Sequence, residues 1–251
     1  MQRMPEPQPK YKSTNHAKSY NNIANRLKWL NDTFVVNALN IGVTHGKILD
    51  IGTGPGFIPI DIAQRNLDFT IYATDESKAM LTIAENNIKD ASIEGIILQQ
   101  ADALELPFGN NYFDLVISNS TLHHIGKPNQ FFKEAYRVMK QYGAMFLSDL
   151  RRPVNKEELE ELLNIMTTPD YTREEFAEVE NSLKAAYSPQ EVQDILKKSG
   201  INNAEVKLYF RTHLSVAVKS IRDSPLNLKL KEEQDQTLNQ LKKEFINGIL
   251  F

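Results

Sequence analysis

Between residues 47 and 149, short apolar runs alternate with longer stretches of helical periodicity. Residues 48–51, 69–73, 95–99, 113–118 and 143–149 read as strands, the first a continuous apolar run of the kind covered on both faces. Between them, 57–65 reads as a helix with Pro59 tolerable in its first turn. A second helix, 77–89, carries Met80, Leu81, Ile83, Ala84 and Ile88, and a third, 129–140, turns Phe131, Phe132, Ala135, Tyr136 and Met139 inward. Upstream, Ile23, Leu27, Leu30, Phe34, Val35 and Leu39 recur at helical spacing from residue 19 to about 39. This strand–helix alternation implies an α/β fold with a mostly parallel sheet and right-handed crossovers.

The pattern changes at Pro153. Two charged helical stretches, 156–166 and 173–186, are split by Thr167-Thr168-Pro169-Asp170 and read as a helical lid inserted at about 153–187. Ser188-Pro189-Gln190-Glu191 is a helix start, with Ser as N-cap and Pro at the first helical position, and Gly200 ends that helix. Residues 204–210 and 213–219 then predict an antiparallel hairpin at the sheet edge. Residues 1–15 read as a disordered lead, 16–220 as the main domain and 221–251 as a helical tail with Leu238, Leu241, Phe245 and Ile249 in register. The tail packs on its own domain, or serves a homodimer contact or a channel cover.

Composition narrows the options. With 251 residues and 41% apolar content, the chain suits one large α/β domain or a domain with a cap. Lys and Arg total 29 against 32 Asp and Glu, a net charge of −3 with no basic stripe, which disfavours a nucleic-acid partner. The absence of cysteine excludes disulfides, thiolate metal sites and a Cys nucleophile. No secretory signal or membrane-length apolar run is present, so a soluble cytoplasmic protein is expected.

The most informative stretch is Ile48-Leu49-Asp50-Ile51-Gly52-Thr53-Gly54-Pro55-Gly56-Phe57, an Asp-x-Gly-x-Gly-x-Gly pattern. It sets backbone N–H groups and a helix N-terminus against a ligand. A phosphate loop of the Walker type would need Lys-Ser/Thr after the last glycine, and none follows Gly56. The dinucleotide fingerprint Gly-x-Gly-x-x-Gly would need glycine where Phe57 stands. The stretch resembles instead the S-adenosylmethionine (SAM) loop of class I methyltransferases. That resemblance runs from about Tyr20 to Lys219. It implies a Rossmann-like seven-stranded sheet with a C-terminal antiparallel hairpin and helices on both faces.

In such sheets ligands lie beyond the C-terminal ends of the strands. By resemblance, Gly52, Thr53, Gly54 and Gly56 wrap the methionine part of SAM, and Asp50 assists on its ammonium side. Asp75, 19 residues after Gly56, ends the second strand, where a carboxylate can accept both hydrogen bonds of a ribose diol; Glu76 is its neighbour. The resemblance gives Asp102 and Ala103 to the adenine, and the backbone around Ser118 and Asn119 to the SAM amino group. Leu106-Pro107-Phe108 with Phe113-Asp114 matches a structural segment of the family. Leu122-His123-His124 resembles the segment of the ubiquinone/menaquinone-biosynthesis type and faces the sulfonium region. Tyr20, in an aromatic-x-x-x-Ala helix, closes over the SAM carboxylate in this reading.

Methyl transfer needs alignment, desolvation and in some cases a base. His123 or His124 suits that role, and Asp149 at the end of the fifth strand is the next candidate. Arg151 and Arg152 follow it and read as binders of an anionic or carbonyl-bearing acceptor. No metal is expected, since neighbouring helical positions diverge by about 100° and serve poorly as joint ligands. The expected reaction turns SAM into S-adenosylhomocysteine while C- or O-methylating a small or medium-sized metabolite. The alternatives are a tRNA or protein methyltransferase, or a non-catalytic scaffold of the same fold.

Overall fold

A computed structural model describes residues 1–6, 14–26, 28–65 and 67–219. The expected C-terminal tail, 221–251, lies outside the described residues. Seven strands form one sheet in the order β3-β2-β1-β4-β5-β7-β6. They are β1 (Gly46–Ile51), β2 (Phe69–Asp75), β3 (Ile96–Gln100), β4 (Phe113–Asn119), β5 (Met139–Leu150), β6 (Glu205–Tyr209) and β7 (His213–Val218). The first five pair in parallel, and the β6–β7 hairpin joins antiparallel along β5. The strand order reverses between β1 and β4, which opens a crevice at their C-terminal ends.

Period-two alternation divides the core between the two faces of the sheet. Leu49, Ile51, Val116, Met145 and Leu147 pack with Phe131, Phe132, Val192 and Leu196 from α5 (Pro128–Val138) and α8 (Pro189–Lys198). Their neighbours Ile48, Leu115, Ile117, Ala144 and Phe146 pack with Phe34, Val35, Leu39, Ile58 and Ile62 from α2 (Lys28–Leu39) and α3 (Phe57–Gln64). The helical stretch expected over 19–39 is helical in the described residues on both sides of position 27, as α1 (Thr14–Arg26) and α2. The remaining crossover helix is α4 (Lys78–Asp90), which buries Met80 and Ala84.

Helix α5 stops at Val138 and β5 begins at Met139, earlier than the apolar pattern suggests. The pairing of β4 with β5 slips between Phe113 and Leu115, which lets the longer strand start before the regular register. Tyr136, expected inward, is exposed.

Helices α6 (Lys156–Met166) and α7 (Arg173–Ala185) form a third cluster through Leu159, Leu162, Leu163, Val179 and Leu183 with Leu150 at the end of β5. Capping boxes start α7 at Thr172/Glu175 and α8 at Ser188/Glu191, the latter as its sequence indicates. Residues 1–6, expected to be disordered, lie along this part of the molecule. Met4 N–H donates to Lys184 O at 3.0 Å, Arg3 donates to Ala185 O at 2.6 Å, and its guanidinium sits 4.1 Å from the Tyr187 ring centroid. Polar composition hid this order because the contacts are made by individual side chains to distant residues.

Candidate active site

After Ile51 the chain turns through Gly52, Gly54 and Gly56 with φ of 75°, 53° and 81°. A Cβ on Gly52 would lie 2.3 Å from Thr121 Oγ1, so this position needs glycine for space as well as for its left-handed backbone. The N–H groups of Gly52 and Thr53 both donate to Thr74 O at 2.8 Å, stitching the turn to β2. Gly54 N–H donates to Asp75 Oδ2 at 2.9 Å, and Ser77 N–H donates to Oδ1 at 2.8 Å. Burial pushes the Asp75 carboxyl up, and these two donors oppose that.

A cavity of about 250 Å³ opens beside this turn. Gly52, Gly54, Asp75 and Glu76 border one side, and Asp102, Ala103 and Leu104 border the other. A smaller pocket of about 40 Å³ adjoins it, bordered by Asp50, Thr53, Asn31 and Asn119. Asp50 is 1% exposed, and among the described residues its Oδ2 and the Thr53 Oγ1 are buried outside hydrogen-bond geometry with any group. Burial pushes the Asp50 carboxyl up to about 7, against the nearby Thr53 hydroxyl. A cationic amine would complete this pair of orphaned oxygens.

A third cavity, about 110 Å³, lies under α6 and α7. Ile23, Leu30, Phe34, Leu150, Met166 and Val179 give it an apolar wall, with His123, His213, Asn119 and Ser148 as polar points. Tyr20 borders all three cavities. Burial first, then the nearby carboxylates of Asp149 and Asp75, push its hydroxyl pKa up, so it stays protonated.

The two histidines occupy the 3₁₀ turn Leu122–His124 at the end of β4. His123 borders the third cavity and His124 the first. Asp149 Oδ1 lies 2.6 Å from His123 Nδ1, and both residues are buried. Burial works against charge on His123, but Asp149 outweighs it and raises the imidazole pKa. Asp149 responds in the opposite sense: burial pushes its carboxyl up, and His123 pulls it below the usual carboxylate range. Burial and the charge of His123 lower His124, and burial lowers His213 to about 4. The turn also brings the two rings to 3.9 Å between centroids, so the argument that adjacent histidines diverge does not hold here. Candidate ligand atoms of Glu6, His123 and His124 lie within 4.8 Å of one another. Each ring already commits one nitrogen to a carboxylate.

Other expected residues take different places. Arg151 pairs with Glu158 at 2.6 Å and Arg152 with Glu191 at 2.7 Å, and neither borders these three cavities. Their guanidinium groups brace the base of α6 and α8. Asp149 stands behind His123 and borders none of the three cavities. Ser118 Oγ donates to Ile51 O at 2.8 Å and clamps β4 to β1. Gly56 lets α3 approach α4, since a Cβ there would lie 3.0 Å from Ala84 Cβ. Thr121, Met80, Glu178, Ser182, Tyr209 and Glu6 belong to the site region but carry no sequence signature that marks them.

A family model described as a methyltransferase domain matches residues 43–200. The chain belongs to this methyltransferase family. It is 27% identical over 193 residues to the uncharacterized methyltransferase YcgJ of Bacillus subtilis, covering 71% of this chain and 74% of that one. It is 25% identical over 209 residues to a demethylmenaquinone methyltransferase of Geobacillus, covering 79% and 88%. The chain spans only 49% and 37% of two other relatives, a malonyl-[acyl-carrier protein] O-methyltransferase of Legionella pneumophila and the BioHC protein of Teredinibacter turnerae. A provisionally assigned SAM-dependent methyltransferase structure from Methanococcus maripaludis superposes with TM-score 0.66 and 29% identity, over 88% of this chain and 99% of that one. The fold is that of class I methyltransferases and SAM is the family's cofactor; one relative is a ubiquinone/menaquinone biosynthesis C-methyltransferase of Idiomarina loihiensis, 30% identical over 117 residues, covering 45% of this chain and 47% of that one. The glycine turn, the anchored Asp75 and the orphaned Asp50 oxygen all fit that cofactor.

Proposed function

We propose that this methyltransferase moves a methyl group from SAM to a small, mainly apolar acceptor that carries an O–H or acidic C–H group. One observation carries the reading: the strand-end cavity and the apolar cavity share Tyr20 and Ser120, with the histidine turn between them. Gly52, Gly54, Asp75, Glu76, Asp102 and Ala103 would hold the nucleoside part of SAM. Asp50, Thr53 and Asn119 would take its amino-acid end. SAM, when bound, supplies the methyl group and a positive sulfonium that makes it transferable.

The residues of this chain align and desolvate. Helices α6 and α7 act as the lid over the acceptor, contributing Met166 and Val179 to its wall. His123 is the general base on the acceptor side, and Asp149 holds its Nδ1 hydrogen so that the other ring nitrogen can accept a proton. Among the described residues bordering this cavity there is no Lys or Arg, which disfavours an anionic acceptor. The test is production of S-adenosylhomocysteine from a panel of phenols, hydroquinones and carboxylates, with wild type and His123→Ala. Turnover with neutral hydroxylated acceptors, falling about 10²–10⁴-fold in the variant, supports the reading. Turnover only with carboxylates, or an undiminished rate in His123→Ala, overturns it.

A further inference from the structure

The short N-terminal segment reaches the histidine turn as well as the lid. Glu6 Oε2 lies 2.6 Å from His124 Nδ1, and Ser182 Oγ of α7 donates to Glu6 Oε1 at 2.6 Å. Three residues earlier, Arg3 Nη2 donates to the backbone carbonyl of His123 at 3.0 Å. The contacts span 118, 176 and 120 residues of sequence, so the segment ties two remote elements together.

A carboxylate accepts hydrogen bonds and cannot donate them once ionised. Burial pushes the Glu6 carboxyl up, but the hydrogen bond from His124, and the attraction of either histidine ring when protonated, hold it below the usual carboxylate range. The hydrogen at this contact therefore belongs to His124 Nδ1. Among the described residues, Glu6 from the N-terminal segment, His123 from its own turn and Asp149 from β5 act on His124, and Arg3 acts on the adjoining His123 ring. A neutral ring with hydrogen on Nδ1 leaves a lone pair on Nε2. At the border of a cavity that takes a sulfonium cofactor, a lone pair is favoured over an N–H or a second positive charge.

We propose that Glu6 is a positioning residue of the active site: it fixes His124 in the tautomer with hydrogen on Nδ1 and couples that ring to the α7 lid through Ser182. This rests on the methyltransferase reading for its purpose but not for its geometry. The two rings thus have separate partners, Asp149 for His123 and Glu6 for His124. The N-terminal six residues complete the site.

The test is long-range ¹⁵N–¹H spectroscopy of the histidine rings in the full chain, with calorimetric titration of SAM on the same samples. Wild-type His124 should carry its proton on Nδ1, and Glu6→Ala should lose that preference and move the ring pKa. Glu6→Asp should restore the tautomer in part, which a general loss of folding would not allow. Ser182→Ala should leave the tautomer in place and loosen the segment, seen as faster amide exchange at Arg3, Met4 and Glu6. A wild-type His124 with hydrogen on Nε2, or a ring unchanged by Glu6→Ala, overturns the proposal. Absence of SAM binding by the wild type would instead strike the proposed function and leave the tautomer result standing.

Discussion

The cavity at the strand ends and the cavity under α6–α7 share Tyr20 and Ser120 but are built by different means. The first is shaped by backbone: three left-handed glycines, N–H groups turned onto Thr74 and Asp75, and the Asp75 carboxylate at the end of β2, with Asp50 in the small pocket that adjoins it. Its residues fall within a few positions of strand ends, in fixed order. The second is shaped by side chains from α1, α2, α7 and the β6–β7 hairpin. Its electrostatics come from the His123–Asp149 pair, joined across 26 residues, while the His124–Glu6 pair, joined across 118, stands at the border of the first. In the proposed reading, a ligand common to a whole family is held by backbone geometry that tolerates little change, whereas the proposed acceptor side is free to vary with the substrate.

The largest effect expected on the side-chain half is at Asp149. Asp149→Ala leaves His123 buried without its partner and should cost about 3 kcal/mol of stability, read by urea denaturation at pH 7. The backbone half breaks at Gly52. Gly52→Ala places a Cβ against Thr121 in a left-handed conformation, for a loss of about 2 kcal/mol and of SAM binding together. An equal SAM affinity in that variant would show that the turn does not hold the cofactor.

A smaller effect separates bracing from binding. Arg151→Ala and Arg152→Ala should each lower stability by about 1 kcal/mol and leave acceptor KM within about twofold, because both guanidinium groups are committed to glutamates. A large rise in KM would return them to the acceptor site.

The finest test concerns protons. Asp50 is raised to about 7, so the free protein holds it protonated at pH 6, and an ammonium beside it would favour the ionised form. SAM binding should then release on the order of one proton at pH 6 and almost none at pH 8.5, read from calorimetry in buffers of different ionisation enthalpy. The sign for folding is the reverse of a salt-bridged carboxylate. A folded pKa above the unfolded one gives stability at low pH that is lost as pH rises through about 7. Release of no proton at pH 6 would mean that Asp50 is already ionised or does not meet the cofactor.

The sheet was legible because buried strands must be apolar and crossover helices must be amphipathic, and the glycine turn because only glycine fits there. Ser188 and Pro189 marked α8 through the chemistry of the cap itself. The early start of β5 was hidden, since a register slip at Phe113 leaves no trace in hydrophobic period. Arg151 and Arg152 looked available as a charge pair because Glu191, which neutralises the second, lies 39 residues away. Glu6 was read as part of a disordered lead for the same reason. Long-range polar pairing has no period and no spacing, and it is what surrounds the histidine turn.

The most direct measurement is calorimetric titration of SAM and S-adenosylhomocysteine into the wild type and Asp75→Ala. Asp75 is held by two backbone donors at the edge of the larger cavity, with lone pairs left for a diol. The account predicts wild-type binding in the micromolar range, weakened by about tenfold or more in the variant. No binding by the wild type, or equal affinity in both proteins, would contradict it.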